Sequence, residues 1–139
     1  MSQENVEIAR RLLDAYNRGD RAACVALCDP QLEWVPPADW PENATIHGAE
    51  AVWDFVVSLN DPWEKGTYEL LGVMDGGHDK VAVHVGRSVR GKASGVAAEF
   101  DYWNVATFHN GKQVRSEWFL DREAALDAMG SAGEIARDV

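Results

Sequence analysis

The chain has 139 residues, a length that indicates one domain around a single core. Its 46% hydrophobic residues and six tryptophans exclude a disordered or fibrous protein. The formal net charge of −10, with no cluster of Lys or Arg, argues against nucleic acid or an anionic membrane surface as a partner, and it leaves small molecules or proteins.

Neither a leader nor a membrane span is predicted. The stretch 1–13 carries charges where a secretory signal would have its apolar segment, and no apolar run is long enough to cross a bilayer. We therefore expect a cytoplasmic protein. Cys24 and Cys28 are the only cysteines and have no nearby His or Cys to complete a metal site, so we expect small core residues, with no metal and no cofactor.

Three helices are predicted in the first 60 residues. Apolar residues at three- and four-residue spacing predict a helix over residues 3–17 that ends at Gly19. Asp20 is predicted to cap a second, shorter helix that runs through Cys28. A single apolar stripe predicts the third helix over residues 48–59.

Between the second and third helices the pattern predicts a short strand and then a loop. Leu32 and Trp34 alternate with Glu33 in a strand that ends at Pro36-Pro37, because proline cannot donate to a strand ladder. Residues 36–47 follow neither the helical nor the strand period and are predicted as a loop. A loop of this length is either a functional lid or an ordered plug over the core, and the sequence leaves both alternatives open.

From residue 67 onward the pattern has period two, which predicts antiparallel strands. Asp121 is then predicted to cap a last helix that runs through Met129. The strands cover residues 67–74, 81–89 and 99–121, the last being a hairpin with its turn at Asn110-Gly111.

This order of elements predicts an α+β cone. Three N-terminal helices pack on a strongly curved antiparallel sheet, and a short helix follows the sheet. Residues 1–130 are predicted to form a single domain, and residues 131–139 a flexible C-terminal tail.

The alternation within the hairpin assigns its residues to two faces of the sheet. If the turn pairs Phe108 with Val114, then Asn104 and Ser116 lie on the more apolar face, which we place inward. The two polar side chains are either orienting groups in a ligand pocket or hydrogen-bonded core residues. The pairs predicted on this face are Asn104–Trp118 and Ala106–Ser116.

Three segments of the chain carry diffuse family motifs. They are ENVEIARRLLDAYNRGD at residues 4–20, IHGAEAVWDF at 46–55 and FLDREAALDAMG at 119–130. They resemble the nuclear transport factor 2-like superfamily, and in particular its SnoaL-like members, over about residues 4–130. The resemblance implies helices on the concave side of the sheet and a conical pocket at one end. Such motifs specify the fold better than the chemistry.

The resemblance also implies where catalytic groups would fall. Enzymes with this fold include ketosteroid isomerase, scytalone dehydratase, limonene epoxide hydrolase and the SnoaL-type polyketide cyclases, and each needs ionisable groups inside its pocket. The isomerase's Tyr, base and acid positions fall on Leu12, Trp34 and Asn104, and the hydrolase's three positions fall on Val85, Arg87 and Trp118. Because the carboxylates are replaced, we expect neither ketosteroid isomerisation nor epoxide hydrolysis.

The predicted pocket is aromatic and has few polar groups. Such a wall suits a flat aromatic or polyketide-like small molecule of limited charge, held by stacking and oriented by one or two hydrogen bonds. The alternative is that the aromatic side chains fill the cone themselves. The predicted ligand-binding residues are Leu12, Tyr16, Trp34, Val85, Arg87, Tyr102, Asn104, Ser116 and Trp118.

Two acid–base pairs are alternatives for an enzyme, whose catalytic residues the sequence does not assign. Counting across the turn at residues 90–95 places His84 opposite Asp101, where the two could share a proton, although the face assignment puts both outside the cone. A one-residue slip in the last strand would instead turn Glu117 inward beside Arg87.

The outer face of the sheet predicts an interaction surface. Trp103, Val105 and Phe119 alternate outward and would be exposed together. Relatives with the resembled fold commonly dimerise through this face. We therefore expect a homodimer held by the outer sheet face, and the third alternative for function is a non-catalytic dimeric interaction module.

Overall fold

The computed structural model describes residues 2–41, 43–64, 66–77 and 79–130. The predicted tail, residues 131–139, lies outside this range. The helices are α1 (Ser2–Arg18), α2 (Arg21–Ala26), α3 (Ala49–Ser58) and α4 (Arg122–Ala128); the strands are β1 (Cys28–Val35), β2 (Ile46–His47), β3 (Thr67–Asp75), β4 (Lys80–Arg90), β5 (Ala97–His109) and β6 (Lys112–Phe119).

These strands form one curved sheet, and the helices pack on it, which confirms the α+β fold. The strand order is β2-β1-β6-β5-β4-β3. The pairings β3–β4, β4–β5 and β5–β6 are antiparallel as predicted, β1–β2 is also antiparallel, and β1 pairs with β6 in parallel. The long connection between β1 and β6 permits this, because parallel neighbours cannot be joined by a tight hairpin.

Helices α1 and α3 cover the concave face of the sheet and form the main core. Tyr16 of α1 stacks on Trp53 of α3 with ring centroids 5.0 Å apart, and Trp53 is a core residue. Leu32 and Val52 are almost fully buried in this core, and each such side chain contributes roughly 1.5–3 kcal/mol. In the described parts of the chain, no helix combines the length and apolar character that crossing a bilayer requires.

The boundary between α2 and β1 differs from the prediction. Asp20 caps α2 as expected, accepting a hydrogen bond from the backbone N–H of Ala23, but the helix ends at Ala26 and Cys28 already opens β1. Pro30 lies inside this strand, at the place where the pairing register between β1 and β6 shifts. The strand ladder therefore needs no backbone N–H donor at residue 30, which proline could not provide. Both cysteines are free and buried, yet they do not share a helix.

The segment predicted as a loop over residues 36–47 contains the short strand β2. Ile46 pairs with Trp34, and His47 pairs with Glu33. A strand of two residues is too short to show a period, and only the neighbouring strand β1 defines it.

The β5–β6 hairpin has the predicted turn and most of the predicted register. Asn110 and Gly111 both have positive φ, 52° and 76°, as a tight hairpin turn requires. The pairs Asn104–Trp118 and Ala106–Ser116 form as predicted, but a bulge next to the turn places Phe108 opposite Gln113 instead of Val114. The bulge therefore turns the Gln113 side chain inward, where it is buried.

Helix α4 covers part of the outer face of the sheet. Ala125 of α4 and Met129, the residue that caps the end of this helix, pack with Val105, and all three side chains are buried. Trp103 and Phe119 pack against the same cluster and are half-buried. The expectation that Val105 is exposed together with these two aromatic residues is therefore wrong, because the protein's own last helix covers it.

Candidate functional site

One cavity of about 90 Å³ lies between α1, α3 and the concave face of the sheet. The inward residues of β4, β5 and β6 form its floor, because they alternate with the outward residues of the same strands. The structure brings all nine predicted pocket residues into its lining: Leu12, Tyr16, Trp34, Val85, Arg87, Tyr102, Asn104, Ser116 and Trp118.

Aromatic side chains fill much of the cone. Trp34 lies at the centre of the group, with ring centroids 6.1 Å from Trp118, 6.4 Å from Trp40 and 5.3 Å from Phe55. Tyr102 meets the Trp118 ring edge-on at 6.2 Å. The remaining space is smaller than the roughly 300–1,000 Å³ typical of drug-sized ligand pockets.

Arg87 provides the polar end of the cavity. Its Nη1 donates to the Tyr68 hydroxyl at 3.0 Å, and its Nη2 donates to Oδ1 of Asn60. The guanidinium also lies over the Tyr68 ring, 4.9 Å from the centroid. The Nε of Arg87 is buried and has no partner among the described residues.

Asn104 and Ser116 form a second polar group in the wall. The Asn104 side chain donates from Nδ2 to Oγ of Ser116 at 2.9 Å and to the backbone carbonyl of Glu117 at 3.0 Å. Asn104 is 7% exposed and Ser116 4%. Asn104 therefore lines the cavity and is also anchored in the protein, so the two predicted alternatives are not exclusive.

Three tyrosines line the cavity with Arg87. Burial, followed by the neighbouring Cys24, raises the pKa of Tyr16 well above its ordinary value. Burial also raises the pKa of Tyr68 and of Tyr102, and the Arg87 guanidinium opposes the rise in both. At neutral pH all three hydroxyls stay protonated, and Arg87 is the one lining residue among those described that is charged.

Several lining residues were not predicted from the sequence. Tyr68 faces Arg87 directly across the β3–β4 pair, and the period-two pattern of β3 could have placed it there. Gln113 is part of the lining because of the bulge in β6, and no local sequence pattern predicts that bulge. Pro37 and Trp40 come from the segment between β1 and β2, so this segment forms part of the wall.

The His84–Asp101 pair forms, but outside the cavity. Nε2 of His84 lies 2.8 Å from Oδ2 of Asp101, and the imidazole stacks on Trp103 with centroids 4.3 Å apart. The predicted direct pairing is wrong, since His84 faces Trp103 and Asp101 faces Gly86, so the contact is diagonal. The face assignment is correct, because neither residue lines the cavity.

The predicted alternative of an Arg87–Glu117 pair is wrong. Trp118, not Glu117, lines the cavity, because the last strand does not slip. Glu117 instead lies on the opposite face of the sheet, with Oε1 at 3.5 Å from Nε of Arg115. Among the described residues no group of three or more His, Cys, Asp or Glu side chains could hold a metal ion.

Helices packed on the concave face of a curved sheet around one cavity define the nuclear transport factor 2-like class of fold. Within this class, the family model described as the SnoaL-like domain matches residues 9–116 of this sequence. The chain therefore belongs to the SnoaL-like domain family. No curated protein matches the chain.

Solved structures show the same fold. An NTF2-like protein from Burkholderia thailandensis E264 is 28% identical, with a TM-score of 0.71 over 90% of this chain and 96% of that one. A candidate SnoaL-like polyketide cyclase from Jannaschia sp. CCS1 is 19% identical, with a TM-score of 0.75 over 91% and 92%. TerC, co-crystallised with polyporic acid, is 21% identical, with a TM-score of 0.73 over 91% and 98%.

Proposed function

We propose that this protein binds a small aromatic or polyketide-like molecule in the cavity between α1, α3 and the sheet. The observation that carries the proposal is the lining, in which tryptophan, tyrosine and aliphatic side chains surround a few polar groups. Apolar cavities with a few convergent polar groups are the usual small-molecule sites of proteins. The co-crystal of TerC with polyporic acid and the description of the Jannaschia protein support this class of ligand.

The size of the cavity restricts how such a ligand enters. An empty apolar cavity of about 150 Å³ is known to bind benzene, and the space here is about 90 Å³. Even a ligand of one ring therefore displaces side chains of the wall, and a larger ligand displaces more. Trp40 and Trp118 are the candidates, since both are half-buried whereas Trp34 is buried.

The lining favours binding and orientation over acid–base catalysis. Proton abstraction and water activation need a base near neutral pH, and a positioned base contributes roughly 10²–10⁴-fold in rate. The positions that carry carboxylates in the isomerase and the hydrolase hold Trp34, Asn104 and Trp118 here. We expect no measurable ketosteroid isomerisation or epoxide hydrolysis, and turnover within tenfold of an authentic enzyme of either kind would contradict this.

A variant that fills the cavity tests the proposal. Ala106 lies in the floor and is buried, so Ala106→Leu should occupy the free space without removing a polar group. Naphthalene and polyporic acid should raise the melting temperature of the wild type, because a ligand at 100 times its Kd stabilises by about 2.7 kcal/mol. Ala106→Leu should abolish both shifts.

The matched control is Ala51→Leu on the exposed side of α3, which adds the same group away from the cavity. This variant should keep the wild-type shifts. Full shifts in Ala106→Leu, or none in the wild type, would contradict the proposed function.

A further inference from the structure

We infer that the Arg87 end of the cavity binds an anionic group of the ligand, such as a carboxylate or an ionised phenol or enol attached to an aromatic ring. The inference rests on the proposed function, because it names the ligand class of the same cavity. It goes further than an apolar lining alone, which predicts a ligand of limited charge.

The guanidinium of Arg87 is buried and has no counter-ion among the described residues. Its side chain is only 7% exposed, and both of its hydrogen-bond partners, the Tyr68 hydroxyl and the Asn60 amide, are neutral. None of the ion pairs found among the described residues includes Arg87. A charge removed from water is costly unless an opposite charge or a full set of hydrogen bonds compensates it.

Two donors of the cavity lining are buried without an acceptor among the described residues. An arginine has five N–H donors, and the described partners of Arg87 accept from Nη1 and Nη2 and leave Nε unpaired. Nε1 of Trp118, another residue of the lining, is also buried and without a partner in the described residues. Two unpaired donors, one of them on a cation, favour a ligand group that brings both acceptor oxygens and negative charge.

The part of the chain that the structure describes does not supply this anion. Burial keeps the hydroxyls of Tyr68 and Tyr102 protonated, since it raises the pKa of both. The acidic residues responsible for the net charge of −10 are absent from the described lining. A carboxylate of the ligand suits this site, because arginine binds carboxylates through short, charge-assisted and often paired hydrogen bonds.

Two probes that differ in charge but scarcely in shape test the inference. Benzoate and benzamide each carry one ring, so they need the least displacement of the cavity wall, and only benzoate carries a negative charge. In calorimetric titrations of the wild type, benzoate should bind roughly 10- to 150-fold more tightly than benzamide, the range expected for hydrogen bonds to a charged group.

A pair of variants identifies the residue responsible. Arg87→Met should remove the preference for benzoate and change the benzamide affinity by at most about tenfold, the upper end of the effect of one neutral hydrogen bond. Arg90→Met is the control, because Arg90 is exposed on the same strand and its loss changes the net charge equally. This control should keep the preference. Arg87→Lys retains the charge and should keep part of the preference for benzoate. This variant replaces Arg87→Met in the test if Arg87→Met does not fold.

The outcomes separate the two proposals. Equal wild-type affinities for benzoate and benzamide, or a preference for benzoate that survives in Arg87→Met, would overturn the anion site and leave the proposed function intact. Failure of both probes to bind the wild type, together with no shift from naphthalene or polyporic acid, would contradict the proposed function and the anion site with it.

Discussion

At the scale of single residues, Asn104 combines a place in the cavity wall with bonds inside the protein. If Asn104 served only as an orienting group, its hydrogen bonds would go to water or ligand, and Asn104→Leu would leave the stability of the ligand-free protein nearly unchanged. The structure gives it two protein acceptors, on Ser116 and Glu117. We now expect Asn104→Leu to lower the free energy of unfolding by about 1–3 kcal/mol, measured by urea denaturation.

Thr107 on the same strand provides the control for this measurement. Its hydroxyl is buried and has no partner among the described residues, so Thr107→Val removes an unsatisfied group. This change should leave the stability unchanged or raise it, since an unpaired buried hydroxyl is costly. Equal destabilisation by the two changes would show that lost packing, and not lost hydrogen bonding, explains the effect at Asn104.

The buried tyrosines predict how stability depends on pH. Tyr68 has a pKa above the ordinary value of 10.0 in the folded protein, mainly because of burial. Its contribution is complete below pH 10 and is lost as the pH rises through the folded pKa, because the unfolded chain releases the proton first. Stability should fall above about pH 10, by at most about 1.4 kcal/mol per pH unit for one tyrosine.

Tyr68→Phe tests this residue separately from the other titrating groups. The variant should show a shallower loss of stability above pH 10 than the wild type, whereas Tyr16 and Tyr102 still contribute. Native protein that develops tyrosinate absorbance already at pH 10, as free tyrosine does, would contradict the raised pKa values.

At the scale of elements, we expect the segment between β1 and β2 to limit how large a ligand the cone accepts. Trp40 lies in this segment, packs on Trp34 and is half-buried. Trp40→Ala should enlarge the cavity and cost less than the roughly 3–5 kcal/mol of a fully buried tryptophan. We expect a several-fold gain in affinity for polyporic acid and little change for benzoate, measured by titration.

Trp63→Ala is the matched control for the cavity wall. Trp63 packs on Phe100 and is not part of the described lining, so its loss should leave both affinities unchanged. A loss of affinity for both ligands in Trp40→Ala alone would show that Trp40 holds the ligand by stacking and does not limit its size.

At the scale of the whole molecule, part of the outer sheet face remains uncovered by α4. Leu71 is 47% exposed at a bulge of β3, and its side chain lies over Gly86 on this face. The stacked His84 and Trp103 rings lie on the same face, so an apolar surface remains beside α4. We propose that a second copy of the chain covers it and that the protein is a homodimer.

Leu71→Glu tests the dimer more cleanly than a charge at Trp103 or Phe119, since both aromatic residues also hold α4. The variant should be a folded monomer in light scattering. Val57→Glu, at a 40% exposed position of α3, should keep the oligomeric state of the wild type. A dimer that persists in Leu71→Glu would rule this surface out as the interface.

Local patterns in the sequence determined the elements and the faces of the strands. Period-two alternation in β4 and β5 placed Val85, Arg87, Tyr102 and Asn104 on one face, and the structure has them in one cavity lining. Such patterns are readable because burial on one side of a strand constrains every second residue. The hairpin turn at Asn110-Gly111 and the helix cap at Asp121 also depend only on short stretches of sequence. Both are present in the structure.

Only the tertiary structure decided which partners these faces meet. The end of α2 at Ala26, the strand β2 and the inward turn of Gln113 depend on strands distant in sequence. Packing also decides that α4 covers Val105. It decides in the same way that Arg87 has no counter-ion among the described residues. A period in the sequence shows that a side chain is buried, but the neighbours that surround it are set by the assembled fold.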